Sequence, residues 1–303
     1  MDPPLPRYAL GIIHFRAPEA LQALVDDAAS WSSPPAVVLV VDNSSDLPPA
    51  HPAGAQRAGA AAVVVHSPGD NVGYGSAANL MLEEAGRHGV DYLLLATQDC
   101  LFEPTAAATL LRLLHEDDSV GATAPLLTFR SAPGTVFSAG GQLNADATTK
   151  HHHFGQPLSR ALRPDTGSVS SVDWADGAAL MLRRSAAAAT GGFREDFFLY
   201  VEDVEFLLRL RLSGSSVLLA RDARASQEPG SYPTYLRYRN NVHFGSLHEG
   251  TLGAWPWSRE LVLEATRVVR RKRRTRDLVW ALRGVVDGKR GRMGHPPLRL
   301  LSA

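Results

Sequence analysis

Two adjacent carboxylates, Glu202 and Asp203, stand where a predicted aromatic strand gives way to a predicted helix over residues 204–212. A carboxylate at such a junction lies on the rim of a sheet, where it is held by the strand behind it and can face a pocket. That position suits a general base that takes the proton of a hydroxyl group. Taken alone, the motif more often marks a helix start, because Asp is a favoured N-cap residue.

Acidic residues also follow three predicted strands upstream. Apolar runs that are stopped by turn-forming residues are typical of buried parallel strands. Ligands of open α/β sheets bind at the carboxyl ends of such strands. The three strands cover residues 37–41, 60–66 and 92–96, and the acids that follow them are Asp42, Asp70 and Asp99. We therefore expect a ligand site at this edge of the sheet.

The segment 71–79 follows the second of these strands and opens a predicted helix with Gly73 and Gly75. Glycines at this point let a ligand approach the backbone closely, and the helix N-terminus faces any phosphate. The segment lacks the third glycine of a dinucleotide fingerprint, so by itself it is a weak indication of nucleotide binding.

Taken in order, these motifs resemble the inverting family 2 glycosyltransferases with the GT-A fold, particularly their bacterial rhamnosyltransferase-like members. The resemblance runs from Tyr8 to about Asn241. It implies an α/β fold in which a Rossmann-like, nucleotide-binding mixed sheet is flanked by helices and followed by a C-terminal helical tail. The segments that carry it are residues 41–46, 71–79, 97–99, 191–193, 200–205 and 239–240.

The resemblance also implies roles for individual residues. Asp203 is the expected catalytic base, with Glu202 beside it and Asp176, in an Asp-Gly-Ala turn, as a third catalytic carboxylate. Two arginines, Arg237 and Arg239, are expected at the diphosphate. The residues expected to bind the nucleotide sugar are Asp42, Asn43, Ser44, Asp70, Asn71, Gly73, Asn79, Gln98 and Asp99.

The metal motif implied by the resemblance departs from the family pattern at two positions. Thr97 stands where the family usually has Asp or Asn as the first member of the D-x-D element, and Gln227 stands where a downstream His is common. Neutral oxygens are weaker ligands for a hard dication than carboxylates. We expect Mg²⁺ or Mn²⁺ to be held mainly by Asp99 and the substrate diphosphate. Alternatively, Arg237 or Arg239 takes part of the role of the ion, since guanidinium groups suit phosphate oxygens, or serves only in a solvated face or ion pair.

The predicted reaction moves a sugar from a nucleoside diphosphate donor, a dTDP- or UDP-sugar, to an acceptor hydroxyl. Rhamnose, and a lipid-linked or glycan acceptor in cell-wall, polysaccharide or glycolipid assembly, follow from the resemblance. A natural-product enzyme with a soluble acceptor is an alternative. So is a non-catalytic sugar-nucleotide- or glycan-binding protein derived from this fold. The presence of Asp99 together with Glu202 and Asp203 favours the enzyme, because only an enzyme needs the base.

Length and patterning predict one catalytic domain. With 303 residues, 45% of them hydrophobic, the chain can bury a full core, and strands alternate with helices without a linker. We expect a glycosyltransferase domain over 1–230, with 1–123 binding the nucleotide sugar and 124–230 the acceptor, and a basic helical tail over 231–303. A single cysteine, no apparent signal peptide and no apolar run of membrane-span length predict a cytoplasmic protein.

The tail contains a basic segment, residues 267–276, with seven Lys or Arg residues and no acid. An amphipathic stretch over 278–286 follows it. This combination predicts a peripheral contact with the anionic inner face of the plasma membrane. Docking of the tail on the catalytic domain with solvated arginines is an equal alternative. Nucleic acid is not expected as a partner, and a homodimer is compatible with the sequence.

The segment 131–171 is rich in Gly, Ser, Thr and Pro and is predicted to be a loop region on the acceptor side, mobile until substrate binds. His151, His152 and His153 lie within it and are expected in solvent. Trp174, just beyond it, either packs or stacks on a sugar ring.

Overall fold

The computed structural model describes residues 4–45, 47, 56–58 (as backbone), 61–163, 165, 167–228, 230–270, 274–297 and 300. Asp46 and the basic residues 271–273, which entered the sequence predictions, lie outside the described residues.

The strands and helices alternate along most of the chain. The strands are β1 (Tyr8–His14), β2 (Val37–Asp42), β3 (Gln56–Ala58), β4 (Ala61–His66), β5 (Tyr92–Thr97), β6 (Leu101–Phe102), β7 (Val120–Phe129), β8 (Val136–Ser138), β9 (Gly141–Leu143), β10 (Thr149–His151), β11 (Val169–Ser171), β12 (Ala179–Arg183) and β13 (Ser216–Gln227). The α-helices are α1 (Pro18–Ala28), α2 (Gly73–Arg87), α3 (Ala106–Glu116), α4 (Leu158–Ala161), α5 (Arg184–Ala189), α6 (Glu202–Leu212), α7 (Thr234–Leu247), α8 (Trp257–Val269) and α9 (Thr275–Lys289).

One mixed sheet organises the molecule, with the strand order β11-β13-β7-β12-β5-β1-β2-β4-β3. Strands β4, β2, β1 and β5 run parallel, and β12 lies antiparallel between β5 and β7. Every residue of β2 is buried, because apolar clusters cover both faces of the sheet. The predicted α/β fold, a mixed sheet flanked by helices, is confirmed.

The segment before α6 is not the strand that its aromatic residues predicted. A short 3₁₀ helix, Glu195–Phe197, leads into a turn in which Phe198, Tyr200 and Val201 have positive φ values of 69°, 72° and 77°. Residues other than glycine rarely adopt a positive φ, and a backbone in this conformation cannot form a strand ladder. The turn also allows α6 to begin at Glu202, two residues earlier than predicted.

The predicted loop 131–171 contains regular structure. It includes β8, the antiparallel pair β9–β10, the short helix α4 and β11. These elements are only three or four residues long, so its few apolar residues do not repeat with a helical or strand period. This is why its composition suggested a loop.

The C-terminal helices pack against the rest of the molecule through α7. Gly284 and Gly288 of α9 face the backbone of α7 so closely that an added Cβ would lie 2.6 Å from the main-chain oxygen of Tyr235 and 2.5 Å from that of Arg239. One face of α9 is therefore packed against α7. This agrees with the alternative in which the tail docks on the rest of the protein. In the part of the chain that the structure describes, no helix is long and apolar enough to cross a membrane.

Candidate functional site

The carboxyl ends of three neighbouring strands meet at one edge of the sheet. His14 pairs with Asp42 in the β1–β2 ladder, and Ile13 pairs with Thr97 in the β1–β5 ladder. Asp42 and the Thr97–Asp99 segment therefore emerge at the same edge, on either side of β1, as the sequence predicted for parallel strands. Asp70 follows β4 and is exposed.

Asp42 is fully buried and organises the loop that follows β2. Its Oδ1 accepts hydrogen bonds from the N–H groups of Ser44 and Ser45, both at 2.9 Å, and from the Ser44 hydroxyl at 3.0 Å. Its Oδ2 accepts a 3.1 Å bond from the N–H of Leu47. Its observed role is thus to shape the rim of the predicted nucleotide site, and its contact with a nucleotide remains a prediction.

Asn43 and Asn71 hold the glycine segment that opens α2. The Asn43 amide accepts from the N–H of Val72 at 3.2 Å and donates to the Gly73 oxygen at 3.4 Å, while Asn71 Oδ1 accepts from the N–H of Gly73 at 2.9 Å. Gly73 has a φ of +83°, and a Cβ there would lie 2.3 Å from the main-chain oxygen of Phe198. This glycine is required by the close approach of the turn before α6.

Gln98 links the ends of β5 and β1. Its Oε1 lies 2.5 Å from His14 Nδ1 and accepts from the N–H of Phe15 at 2.9 Å, and its Nε2 donates to the Phe15 oxygen at 2.7 Å. Asp99, the next residue, is partly buried, and its main-chain oxygen accepts a hydrogen bond from Arg130. Gln98 thereby fixes the segment from which the Asp99 carboxylate projects.

The two residues that depart from the metal motif are neighbours in space. Gln227, at the end of β13, directs its Nε2 toward the Thr97 hydroxyl at 3.4 Å, and its Oε1 is buried with no hydrogen-bond partner. A buried acceptor oxygen without a donor is costly, and a cation would satisfy it. Among the described residues, no group of three His, Cys, Asp or Glu side chains could hold a metal. Asp99 and neutral oxygens are therefore the donors that the protein offers here.

Asp203 is fixed by two backbone N–H groups at the start of α6. Its Oδ2 accepts from Gly177 at 2.9 Å and its Oδ1 from Val204 at 2.8 Å. Burial raises the pKa of Asp203 above its usual range, against the lowering effect of these two bonds. Asp176 lies nearby, and burial followed by the charge of Asp203 raises its pKa to about 7. The structure thus brings together the predicted base and the Asp-Gly-Ala turn.

Glu202 is only 3% exposed, and its Oε2 has no hydrogen-bond partner. Burial, followed by the charge of Asp203, raises its pKa to about 8. A carboxyl group in such surroundings favours the neutral form, since ionisation would leave an uncompensated buried charge. Of the adjacent pair, Asp203 is therefore the better candidate for a base, because its oxygens have donors and it borders a cleft.

The strained turn before α6 is held from two sides. From α7, Asn240 donates to the main-chain oxygens of Leu199 at 2.8 Å and Tyr200 at 2.7 Å, and Arg239 donates to that of Phe197 at 2.7 Å. From α2, the N–H of Tyr74 donates to the Phe198 oxygen at 2.8 Å. These bonds compensate the cost of the positive φ values and so position the carboxylates that follow.

Arg239 therefore does not lie where the predicted diphosphate contact would need it. It is 1% exposed, and besides Phe197 it donates to the Asn240 side chain at 2.9 Å and to the Gly294 oxygen at 2.7 Å. Its burial removes it from any ligand in the cleft, so we correct its role to bracing the turn. Arg237 is partly exposed, borders the cleft and pairs with Glu260 at 2.8 Å.

Asn79 likewise has structural partners. Its amide donates to the Phe193 oxygen at 2.9 Å and accepts from the Phe193 N–H at 2.8 Å, and a Cβ on Gly192 would lie 2.5 Å from its oxygen. Asn79 thus ties α2 to the Gly191–Gly192–Phe193 turn, and the nucleotide contact expected of it remains a prediction. The segments 71–79 and 191–193 are thus in contact although they are more than 100 residues apart in the sequence.

A cleft of about 550 Å³ opens beside the carboxylates. Asp176 and Asp203 line it together with aromatic rings and hydroxyl, amide and guanidinium groups. Sequence reasoning missed two residues of this region, Tyr74 and Asn240, which act on the carboxylates through the backbone. The only sequence signal was their position inside segments 71–79 and 239–240, and nothing there indicated which partners they would find.

No protein-family model matches the chain. The chain is 28% identical over 229 residues to the N-acetylglucosaminyl-diphospho-decaprenol L-rhamnosyltransferase of two strains of Mycobacterium tuberculosis, and the match covers 67% of this chain and 74% of the relative.

Solved structures share the fold at low sequence identity. The mannosyltransferase PcManGT from Pyrobaculum calidifontis, in complex with GDP-Man and Mn²⁺, has a TM-score of 0.57 and 14% identity, with 95% of this chain and 91% of that chain covered. TarS 1–349 from S. aureus, in complex with UDP-GlcNAc, has a TM-score of 0.58 and 13% identity, with 97% and 82% covered. GalNAc-T7 with UDP, GalNAc and Mn²⁺ has a TM-score of 0.60 and 16% identity. That match covers 81% of this chain, which spans about half of GalNAc-T7 (48%).

The named relative and the shared fold agree with the resemblance seen in the motifs. The chain is a glycosyltransferase with the GT-A fold, and its sequence is similar to that of a decaprenol-linked L-rhamnosyltransferase.

Proposed function

We propose that this protein is an inverting, family 2 type rhamnosyltransferase that acts on a lipid-linked acceptor in cell-wall or glycolipid assembly. The observation that carries the proposal is the Asp203 carboxylate, fixed by two N–H groups on the wall of a cleft large enough for a sugar. The named relative, a decaprenol-linked L-rhamnosyltransferase, supports both the sugar and the class of acceptor.

In the proposed reaction, Asp203 takes the proton of the acceptor hydroxyl as its oxygen attacks the anomeric carbon of the donor. The bond to the nucleoside diphosphate breaks on the opposite face of the sugar, so the configuration at that carbon inverts. Gly177 and Val204 hold the carboxylate in one orientation, which fixes the direction of attack. Asp176, with a pKa of about 7, lies close enough for the charge of Asp203 to raise its pKa.

The donor would lie along the carboxyl edge of β1, β2 and β5. Asp42, Asn43 and Ser44 would face its base and ribose. The first N–H groups of α2, which the sequence suggested for the phosphates, instead donate to Asn43, Asn71 and the Phe198 oxygen. The choice between dTDP and UDP, and the contacts of Asp70 and Asn71, belong to the same proposal. Arg237 is the remaining arginine for the diphosphate, once released from Glu260.

A divalent cation, Mg²⁺ or Mn²⁺, fits the donors at the end of β5. Asp99 would supply the carboxylate, and the buried, unpartnered Oε1 of Gln227 a neutral oxygen. When bound, such an ion neutralises the charge that develops on the departing diphosphate. The Mn²⁺ in the structures of PcManGT and GalNAc-T7 supports this cofactor.

A lipid-linked acceptor implies a contact with the membrane, which we propose for the hairpin of α8 and α9. These two helices expose Val262 (66%), Val269 (82%) and Val279 (61%). Arg270, at the end of α8, and Arg274, just before α9, are exposed as well. An exposed apolar stripe with adjacent basic groups is suited to the interface of an anionic bilayer. The protein would then work peripherally on the inner face of the plasma membrane, from the cytoplasm.

Transfer to a defined acceptor tests the proposal. The protein is incubated with dTDP-rhamnose, and separately with UDP-sugars, together with Mn²⁺ and N-acetylglucosaminyl diphosphate carried on a short prenyl chain. Mass spectrometry should show one added deoxyhexose, and NMR of the product should show the inverted anomeric configuration. Retained configuration would contradict the mechanism. Donor binding without hydrolysis or transfer in any combination would instead favour a sugar-nucleotide-binding protein, and transfer to a free glycan only would favour a soluble acceptor.

A further inference from the structure

Two groups of aromatic rings border the cleft beside Asp203, and the proposed proton transfer uses neither of them. A cleft that presents ring faces next to carboxylates is chemically specific in what it can bind. The rings are Phe137, His151, Phe154 and Trp174 in the first group and Tyr200 and Tyr232 in the second.

The first group forms a fixed corner. His151 stands edge-on to Trp174, with ring centroids 4.6 Å apart at 89°, and Phe154 lies 5.4 Å from His151. The indole N–H of Trp174 donates to the Gln142 oxygen at 3.2 Å, which locks that ring. Phe154 is 53% exposed at the cleft, although burial of a ring this large is normally favourable. His151 is exposed, as the sequence predicted, but it ends strand β10 instead of lying in a loop, and its ring is part of this cluster.

The second group lies on the strained turn and the segment before α7. Tyr200 and Tyr232 have centroids 4.3 Å apart, and the Tyr200 hydroxyl donates to the Ser231 oxygen at 2.8 Å. Asn241 donates to the Tyr232 hydroxyl at 3.3 Å. Both rings are thus held by their hydroxyl groups, and Tyr232 remains 40% exposed.

We propose that these two groups are the binding site for the acceptor's sugar ring, a pyranose whose C–H face stacks on Phe154 and Tyr232. This inference rests on the proposed glycosyl transfer. Aromatic faces carry partial negative charge and attract the polarised C–H groups of a sugar, while the hydroxyl groups at the edge of the same sugar need polar partners. Asp176 and Asp203 supply such partners within the same cleft.

The prenyl chain of a lipid-linked acceptor is the alternative occupant, and it fits the cleft less well than a sugar does. The carboxyl groups of Asp176 and Asp203 line the cleft, and a hydrocarbon chain would place them against an apolar neighbour, which disfavours their charged forms. The volume of about 550 Å³ lies in the ordinary range of small-molecule sites, about 300–1,000 Å³. We therefore assign the cleft to the sugar and place the lipid chain outside it.

Substitutions that separate ring character from apolar bulk test the assignment. Phe154→Leu and Tyr232→Leu keep an apolar side chain and remove the ring face, while Phe154→Trp and Tyr232→Phe keep the ring. The probe is methyl β-N-acetylglucosaminide, whose binding is followed by saturation-transfer NMR in the presence of the donor nucleotide. Each Leu variant should weaken probe binding by about three- to tenfold, whereas the ring-retaining variants should bind as the unsubstituted protein does.

The controls separate the sugar from the lipid and the site from the reaction. Leu212→Ala, an exposed apolar position that does not line the cleft, should leave probe binding unchanged. Geranyl phosphate should not compete with the probe. Competition by geranyl phosphate, or unchanged sugar binding in both Leu variants, would overturn the assignment. Sugar binding that depends on the rings without any transfer would overturn the proposed function and leave this site standing.

Discussion

The hydroxyl of Tyr74 donates a 2.5 Å hydrogen bond to the main-chain oxygen of Gly177. The N–H of Gly177 in turn donates to Asp203, so α2 is linked to this carboxylate through a single residue. A side chain at residue 177 would be tightly packed, because a Cβ there would lie 3.1 Å from the Tyr74 hydroxyl oxygen and 3.2 Å from the Cβ of Asp203. Helix α2 and the proposed base, Asp203, are therefore linked by hydrogen bonds through Gly177.

Tyr74→Phe should lower kcat by about tenfold and leave the KM for donor nearly unchanged, since loosening the Gly177 turn misplaces the base. Burial, followed by the charge of Asp203, raises the pKa of Tyr74 well above its usual range, so its hydroxyl donates at all working pH values. Tyr235→Phe is the matched control, because it also removes a buried tyrosine hydrogen bond, at 3.0 Å to Asp287. Equal losses of kcat in both variants would mean that the effect of Tyr74 is on stability alone.

Asp203→Asn should keep donor affinity within a few-fold and lower turnover by about 10²–10⁴, the usual contribution of a general base. The amide is isosteric and cannot accept the proton. Donor affinity is measured by calorimetry and turnover by release of the nucleoside diphosphate. A folded Asn variant with near-normal transfer would move the role of base to Asp176 or Glu202.

Glu202→Gln should change the pH dependence of stability. The pKa of Glu202 is raised in the folded state, so its neutral form contributes stability that is fully present below the ordinary pKa of 4.5 and is lost as pH rises through about 8. The Gln variant lacks this loss. Its free energy of unfolding relative to the unsubstituted protein should therefore increase between pH 5 and pH 9, as measured by urea denaturation.

Glu205→Gln, on the same helix, should change the pH dependence of stability in the opposite direction. Burial alone would raise the pKa of Glu205, but hydrogen bonds from His248 and Arg209 outweigh it and lower the pKa. Its ionised form stabilises the fold above the ordinary pKa, so the Gln variant should lose most at neutral pH and recover in acid. Parallel pH profiles for the two variants would contradict the neutral state assigned to Glu202.

Mn²⁺ should bind weakly to the protein alone and more tightly once a nucleoside diphosphate supplies further oxygens, because Asp99 is the main protein carboxylate at the site. Calorimetric titration with and without UDP or dTDP measures this. Gln227→His should tighten Mn²⁺ binding without nucleotide, since imidazole is a stronger ligand than an amide oxygen. Equal affinity in both titrations, or full activity in excess EDTA, would refute this site and leave Arg237 to stabilise the leaving group.

The protein should co-sediment with phosphatidylglycerol vesicles at low salt and not with phosphatidylcholine vesicles. Three to four engaged basic residues at about 1 kcal/mol each would raise membrane affinity by two to three powers of ten. Binding should fall in 1 M salt, where the Debye length shrinks to about 3 Å.

Point substitutions test the hairpin better than truncation after about Leu263, because removing α9 would uncover α7. Val269→Asp combined with Val279→Asp should abolish vesicle binding, while Leu212→Asp, at an apolar residue 58% exposed on α6, should not. A protein that ignores anionic vesicles at low salt would have a purely structural tail, which would favour a soluble acceptor.

The sequence by itself determined the parallel strands and the edge at which their polar residues meet. The apolar run of β2 is continuous because both faces of the strand are buried, and such burial is recorded directly in residue type. The order of the motifs likewise indicated the fold and the pair Glu202–Asp203. These features depend on local composition and on chain order, both of which can be read from one sequence.

Only the tertiary structure decided how the carboxylates are held. Positive φ at Tyr200 and Val201 is a property of the backbone that no side-chain periodicity reveals, and it persists because α7 supplies Asn240 to the same turn. The residue type of Arg239 suggested a phosphate ligand, but its side chain is buried and donates to the main-chain oxygens of Phe197 and Gly294, which are 42 and 55 residues away. Hydrogen-bond partners so distant along the chain are set by the packing of helices, which residue type alone does not specify.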